Sequence, residues 1–207
     1  MKNRLLIIAT LVLFIATSCA PEKTKDANGA NGFGTSKKPL SGTPWRIPSG
    51  VNLIFGVLSF PASTAVGLYH SGLADGTLPF YFTFKNTNTQ PVSIIFPAGL
   101  MFPSPDTISQ NGITLQADTI TVPPNCSYYQ VVDAYCLNEH RTFEHNKVYG
   151  MPIVTTNDNM ALLLQIMATK QLVTNDPTDI LQKAVWHISD SIPLTPNDIA
   201  TINNTFR

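Results

Sequence analysis

Charged residues are scarce in this 207-residue chain, and basic residues are few in its body. Asp, Glu, Lys and Arg make up 13% of the chain, and the formal net charge is zero. From residue 47 onward six basic residues face eleven acidic ones, a net charge of −5. A surface of that sign repels phosphate backbones, so nucleic acid is not expected as a partner.

The longest apolar run lies at the start of the chain. Lys2 and Arg4 precede apolar residues 5–16, and Thr17-Ser18 leads to Cys19. A basic start, a short apolar stretch and small residues before a cut site are typical of a secretory signal peptide. A helix that spans a bilayer needs about 20 apolar residues, so this run is too short for that role.

The residues in front of Cys19, Ala16-Thr17-Ser18, resemble the lipobox of bacterial lipoproteins. The resemblance implies cleavage before Cys19 and lipid attachment to its sulfur and its amino group. Residues 1–18 are then the signal peptide, and the lipid holds the protein at the bacterial cell envelope, in the outer membrane or at the cell surface. The alternative is an ordinary signal peptide in which Cys19 has no special role.

Residues 19–44 predict a flexible tether. The segment is rich in Gly, Asn and Lys and has almost no apolar side chains. It cannot bury enough apolar surface to fold alone. A flexible chain of about 25 residues spans roughly 25–30 Å, which sets the expected distance between the lipid and the folded body.

The remainder, residues 45–207, predicts a single α+β domain that is β-rich over 45–155 and helical over 156–207. Short apolar stretches separated by Pro, Gly and Asn turns favour an antiparallel β-sandwich or small barrel. The predicted strands cover residues 51–60, 79–85, its return strand 92–96, 112–122 with a bulge near Asp118, 127–135 and 148–154.

Three short helices are predicted to form a C-terminal cap on this β-structure. Asn157 or Asp158 caps the first helix, and Asp176-Pro177 supplies a cap and a proline at the first position of the second. Thr195–Asp198 has the pattern of a capping box that starts the third. Their apolar faces are most simply covered by the β-structure.

The aromatic residues of two predicted strands are candidates for a ligand-binding face. Phe80, Tyr81, Phe82 and Phe84 lie on one strand, and Tyr128 and Tyr129 lie on another. Strand alternation places half of each set in the core. Those on the other face would suit a carbohydrate or protein ligand.

Two cysteines, Cys126 and Cys136, belong to the predicted body. The oxidising envelope favours a disulfide. The predicted strand 127–135 nevertheless separates them by roughly 30 Å, at about 3.3 Å per residue, and a disulfide needs about 6 Å between Cα atoms. We therefore expect two thiols rather than one disulfide.

The densest polar cluster, residues 136–145, contains Cys136, two glutamates and the histidines His140 and His145. Such side chains bind metals, and Cys136 with a histidine could form a nucleophile–base pair. The spacing matches no common zinc pattern, and no fourth ligand is evident. We expect a polar loop with His140 and His145 as weak metal candidates, no cofactor and no enzymatic activity.

Tyr135-Cys136 and the segment Gln182-Lys183-Ala184-Val185-Trp186 resemble motifs of the thioester domains of bacterial surface adhesins. Those domains carry a Tyr/Phe/Leu-Cys motif at a strand end and a later Gln-x-Ala-Ile/Val-Trp helix. The resemblance implies an internal thioester that captures a host amine, with Cys136 as its cysteine and Gln182 as the matching glutamine. The second glutamine motif of that family, which often supplies the bonding partner, has no counterpart in this sequence.

The sequence thus predicts a lipid-anchored envelope protein that acts as a non-enzymatic interaction or structural module. Its expected partners are the membrane, through the lipid on Cys19, and a protein or carbohydrate ligand. The alternative is a covalent surface adhesin with a thioester between Cys136 and Gln182.

Overall fold

The computed structural model describes residues 31–59, 70–71, 78–172 and 177–207. Cys19, the predicted signal peptide and residues 19–30 of the predicted tether lie outside these ranges. Over the described ranges, no helix is both long enough and apolar enough to cross a membrane.

Eleven strands and three helices are described, and most strand pairings are antiparallel, which confirms the predicted α+β class. The strands are β1 (Gly42–Pro44), β2 (Val51–Ser59), β3 (His70–Ser71), β4 (Leu78–Asn86), β5 (Val92–Phe96), β6 (Leu100–Phe102), β7 (Gly112–Ile113), β8 (Asp118–Val122), β9 (Ser127–Cys136), β10 (Val148–Tyr149) and β11 (Ile153–Thr155). The helices are α1 (Asp158–Met167), α2 (Thr178–Ser189) and α3 (Pro196–Thr205).

The main sheet curls back toward itself. Its strand order is β1-β11-β6-β7-β9-β4-β2-β10, with β3 parallel to β9, while β5 and β8 form a separate two-stranded sheet. Strands β10 and β11 lie toward opposite ends of that order, yet only residues 150–152 join them. Four chain steps span at most about 14 Å, so the two ends of the sheet must approach each other.

The side chains of β4 alternate between the two faces of the sheet, as predicted. Phe80, Phe82 and Phe84 are buried in the core, and Tyr81 and Thr83 between them are half-buried on the other face. Ring stacking continues along the core side, where the centroids of Phe82 and Phe84 are 5.5 Å apart. Alternation therefore places three of the four candidate aromatic residues of this strand in the core, rather than the predicted half, and leaves Tyr81 on the other face.

Trp45 joins the two sheets. Its ring stacks on Phe96 of β5 with a centroid distance of 5.3 Å and meets Phe82 of β4 edge-on at 6.0 Å. Its indole Nε1 donates to the backbone oxygen of Ile95 at 2.9 Å. Because one buried ring contacts both sheets, the two sheets pack against each other as a sandwich.

The helices begin close to where their caps predict. The Asn157 side chain accepts from the Met160 N–H at 2.9 Å, and Thr195 and Asp198 form a complete capping box. Pro177 occupies the N-cap position of α2 rather than the first helical position, with no side-chain cap. Asp176 lies outside the described residues.

The helices pack on the β-structure as predicted. Their buried side chains form a second core with Tyr135 and Leu137 at the end of β9. The members contributed by α1 and α2 include Met160, Leu163, Leu181, Val185 and Ile188.

Three predicted strands differ from those observed. Residues 92–96 are not the return strand of β4, because β5 pairs with β8. Residues 112–122 divide into β7 and β8, which belong to different sheets, since Thr114 bonds to Leu100 and Pro97 and turns the chain between them. Residues 148–154 divide into β10 and β11 at Pro152, which has no N–H for a ladder.

Residues 31–44, the C-terminal part of the predicted tether, belong to the folded body. Phe33 is 2% exposed in the second core, and β1 pairs antiparallel with β11. A segment poor in apolar residues can still be ordered when polar groups of the body bind its backbone. That is the case here, because the carbonyl oxygens of Gly32, Gly34 and Ser36 each accept a side-chain hydrogen bond.

Candidate functional site

Gln182 and Cys136 meet where α2 packs on the end of β9. The Cys136 backbone N–H donates to Gln182 Oε1 at 2.9 Å, and Gln182 Nε2 donates to the Cys136 carbonyl oxygen at 2.8 Å. Both residues are buried, with 6% and 8% exposure. The glutamine carboxamide therefore pairs with one residue of β9 as a neighbouring strand would. We call this pair of bonds the glutamine clamp.

The glutamine clamp occupies the side of β9 that faces away from β7. On the β7 side, the Leu137 N–H donates to the Asn111 carbonyl oxygen at 2.9 Å. Successive residues of a strand direct their N–H and C=O groups to alternate sides, so those of Cys136 point toward α2. Trp186, one helical turn after Gln182, packs against the core that contains Phe80, Phe82 and Phe84 of β4, which we call the first core. Together the two side chains fix α2 on the sheet.

The resemblance to thioester domains thus pairs two residues that the structure also brings together. Both polar atoms of the Gln182 carboxamide are bonded to the backbone of Cys136. A thioester between these residues would expel Nε2 as ammonia and remove the donor to the Cys136 carbonyl oxygen. The observed arrangement is that of a structural clamp.

Cys126 and Cys136 lie at opposite ends of β9, and no disulfide joins them. Cys126 is exposed and Cys136 is buried. The prediction that these two cysteines do not form a disulfide with each other is confirmed.

The histidines of the polar cluster lie in the loop that follows β9. His140 and His145 are both exposed, and the His145 ring meets Phe143 edge-on at 5.0 Å. Among the residues that the structure describes, no three His, Cys, Asp or Glu side chains come together as a metal site. The two histidines are therefore not brought together with further ligands in this part of the chain.

A buried polar network holds residues 32–36, which we call the N-terminal strap. Asn138 Nδ2 donates to the carbonyl oxygens of Gly32 and Gly34 at 2.9 and 2.8 Å. Asn138 Oδ1 accepts from the Asn111 N–H, and Asn111 Nδ2 donates to Gly32. Sequence reasoning missed this site, because its only signal was the Gly-Phe-Gly pattern, in which Gly32 and Gly34 both adopt positive φ.

A cleft of about 230 Å³, the basic cleft, lies beside the strap. Its lining includes Lys37, Lys38, Asp106 and Arg141. Burial lowers the pKa of the Arg141 guanidinium, and the nearby Asp106 carboxylate opposes that shift. The backbone N–H of Ser109 contributes most to lowering the pKa of Asp106.

The face of β2, β4 and β9 opposite the core, the outer face, is partly exposed. Register places its residues in two rows, Ile54–Thr83–Tyr129 and Asn52–Lys85–Ser127. Tyr129 is 60% exposed. The candidate Tyr128 lies on the core side instead, half-buried against the first core.

Phe55 lies beside this face in a bulge of β2. The pairing register shifts between Ile54 and Leu58, and both Phe55 and Gly56 have positive φ, of 66° and 76°. Phe55 is also 75% exposed. A bulky residue in this backbone region is uncommon and carries strain, which is frequently associated with function.

Comparisons with known protein families, curated proteins and solved structures find no match to this chain. A function must therefore rest on the residues of the chain itself.

Proposed function

We propose that this protein is a lipid-anchored module of the bacterial cell envelope that binds a carbohydrate non-covalently through its outer face. The lipid on Cys19 holds it at the outer membrane or the cell surface. The observation that supports the binding role is the exposed ring of Tyr129 among polar side chains on an ordered sheet.

The dimensions of the outer face suit a sugar. Strands lie about 4.8 Å apart and alternate residues about 6.8 Å apart, so the two rows cover roughly 10 by 7 Å. Tyr129 offers a flat apolar surface, while Thr83, Asn52 and Ser127 offer hydroxyl and amide groups. An apolar surface with a few placed polar groups is the usual composition of small-ligand sites.

Non-covalent binding is supported by the glutamine clamp. Gln182 already bonds to the backbone of Cys136 through both polar atoms of its side chain. Both residues thus have a structural role that explains their burial, and no thioester is needed to explain it.

Tyr129→Ala tests the proposal on an array of bacterial and host glycans. We expect binding to fall at least about tenfold, because stacking on an aromatic ring is lost. Tyr129→Phe, which keeps the ring, should retain binding. Ile95→Ala is the matched control, since Ile95 is similarly exposed, at 61%, on the other sheet.

Unchanged binding in Tyr129→Ala, or equal loss in Ile95→Ala, would contradict the assignment of the outer face. Binding to proteins alone, with loss in Tyr129→Ala, would retain the face and replace the carbohydrate with a protein ligand.

A covalent adhesin is the second candidate, and the contact between Cys136 and Gln182 is the observation that favours it. In this function the thioester carbonyl would be attacked by a host amine, and the Cys136 thiolate would be the leaving group. The product would be an amide between the Gln182 side chain and the host amine. A chain with this bond would have an intact mass lower by one ammonia.

A further inference from the structure

The basic cleft is a local reversal of charge. Among the described residues of its lining, Lys37, Lys38 and Arg141 are basic and Asp106 is the only acidic one. The folded body, residues 31–207, has nine basic and eleven acidic residues, a net charge of −2. Cations gathered on a protein of the opposite net charge focus a positive potential at one place, which favours an anion there.

Two hydrogen bonds hold the Arg141 guanidinium in the cleft, and its other N–H donors are available to a ligand. Its Nη2 donates to the Ser36 carbonyl oxygen at 2.5 Å and its Nη1 to that of Ser109 at 3.3 Å. A guanidinium has five N–H donors, and these two bonds are the ones it makes in the described part of the chain. A guanidinium anchored in this way presents its remaining donors in a fixed orientation, which suits an oxyanion.

The acidic residue is already engaged by its own loop. Asp106 Oδ1 accepts from the N–H groups of Ile108 and Ser109 at 2.9 and 2.7 Å. Its Oδ2 lies 3.8 Å from Lys147 Nζ. These contacts offset much of its charge, so Asp106 does not cancel the charge of Lys37 and Arg141 in the cleft.

The walls of the cleft are stiff. Pro39, Pro103 and Pro105 are part of the lining, and the proline ring fixes φ. The Ser104 N–H is bound by the Asn111 side chain at 2.8 Å. Such a site loses little conformational entropy when a ligand binds.

We propose that the basic cleft binds a phosphate group, carried by a soluble phosphate ester or by a lipid headgroup. Arginine and lysine are the residues that proteins use for phosphate, arginine through paired hydrogen bonds and lysine as a point charge. This proposal does not depend on ligand binding at the outer face. Only the assignment of the phosphate to a lipid headgroup depends on the proposed anchor, which would hold residues 37–38 near a membrane.

The test is an NMR titration with inorganic pyrophosphate at constant ionic strength, on the full chain carrying Cys19→Ala so that no lipid contributes. We expect saturable shifts confined to residues 37–41, residues 103–107 and Arg141. Lys37→Gln with Lys38→Gln should weaken binding about tenfold. Lys170→Gln with Lys183→Gln removes the same charge elsewhere and should change it by less than about twofold.

Scattered or non-saturating shifts would overturn the proposal, as would equal weakening by both double variants. Tyr129→Ala should leave pyrophosphate binding unchanged, so failure of the cleft and failure of the outer face are distinguishable.

Vesicles identify the source of the phosphate. Sedimentation of the Cys19→Ala chain with vesicles that contain phosphatidic acid, lost in the Lys37→Gln/Lys38→Gln variant, would assign a lipid headgroup. Binding of pyrophosphate without vesicle binding would assign a soluble phosphate ester.

Discussion

At the scale of single residues, the glutamine clamp is the most informative contact. The resemblance to thioester domains implied a pairing of Gln182 with Cys136, and the structure places the two residues in contact. The pattern could not show that the contact runs through the backbone of Cys136. Backbone directions depend on the register of β9, which sequence spacing does not determine.

Gln182→Ala should lower the free energy of unfolding by about 2–4 kcal/mol. The change leaves the buried N–H and C=O of Cys136 without partners, and each unsatisfied group costs about 1–3 kcal/mol. Urea denaturation measures this loss. Lys183→Ala, at the next position and exposed, should stay within about 0.5 kcal/mol of the parent. A small loss in Gln182→Ala would show that the clamp does not hold α2 on the sheet.

We expect ionised Asp198 to stabilise the fold, and this stabilisation to be lost at acidic pH. Hydrogen bonds from Thr195 hold the pKa of Asp198 below its ordinary value. Because the folded-state pKa is lower than the unfolded one, the stabilisation is present above the unfolded value, about 4, and is lost as pH falls through the folded value. Thermal unfolding followed from pH 6 to pH 2 should show the Asp198→Ala and parent curves converging at low pH. A constant gap between them would contradict this role.

At the scale of elements, local signals predicted most helices and strands, and non-local pairing accounts for the misses. Asn157 and the Thr195–Asp198 box identify helix starts because a cap needs only neighbouring residues. The division of residues 112–122 between two sheets depends on partners far away in the sequence, so no local pattern reveals it. The ordered conformation of residues 31–44 likewise depends on Asn138, which lies about a hundred positions later in the sequence.

Asn138→Ala should release the N-terminal strap. The variant loses both side-chain bonds to Gly32 and Gly34, so local opening should become roughly tenfold to a hundredfold more frequent. Trypsin cleavage after the exposed Lys37, followed by mass spectrometry, should accelerate by that factor. Asn203→Ala, an exposed asparagine change on α3, is the control. Equal cleavage rates in both variants would show that Asn138 does not hold the strap.

At the scale of the whole molecule, composition and turn spacing were sufficient to predict an α+β fold with a sandwich-like β-structure. They could not predict how the sheet curls, because that depends on β10 and β11 pairing with β2 and β6 at distant edges. The basic cleft could not be predicted either, because it also depends on residues that are distant in the sequence. Its cations come from positions 37, 38 and 141, which only the folded chain brings together.

We propose, as the central claim, that Gln182 is a structural clamp on Cys136 and that the module binds its ligand without forming a covalent bond. The most direct test is the intact mass of the purified, unreduced protein, recorded with and without methylamine. We predict the full mass expected from the sequence and no uptake of amine. A mass lower by one ammonia, with methylamine then adding to the chain, would contradict the claim and establish a thioester in its place.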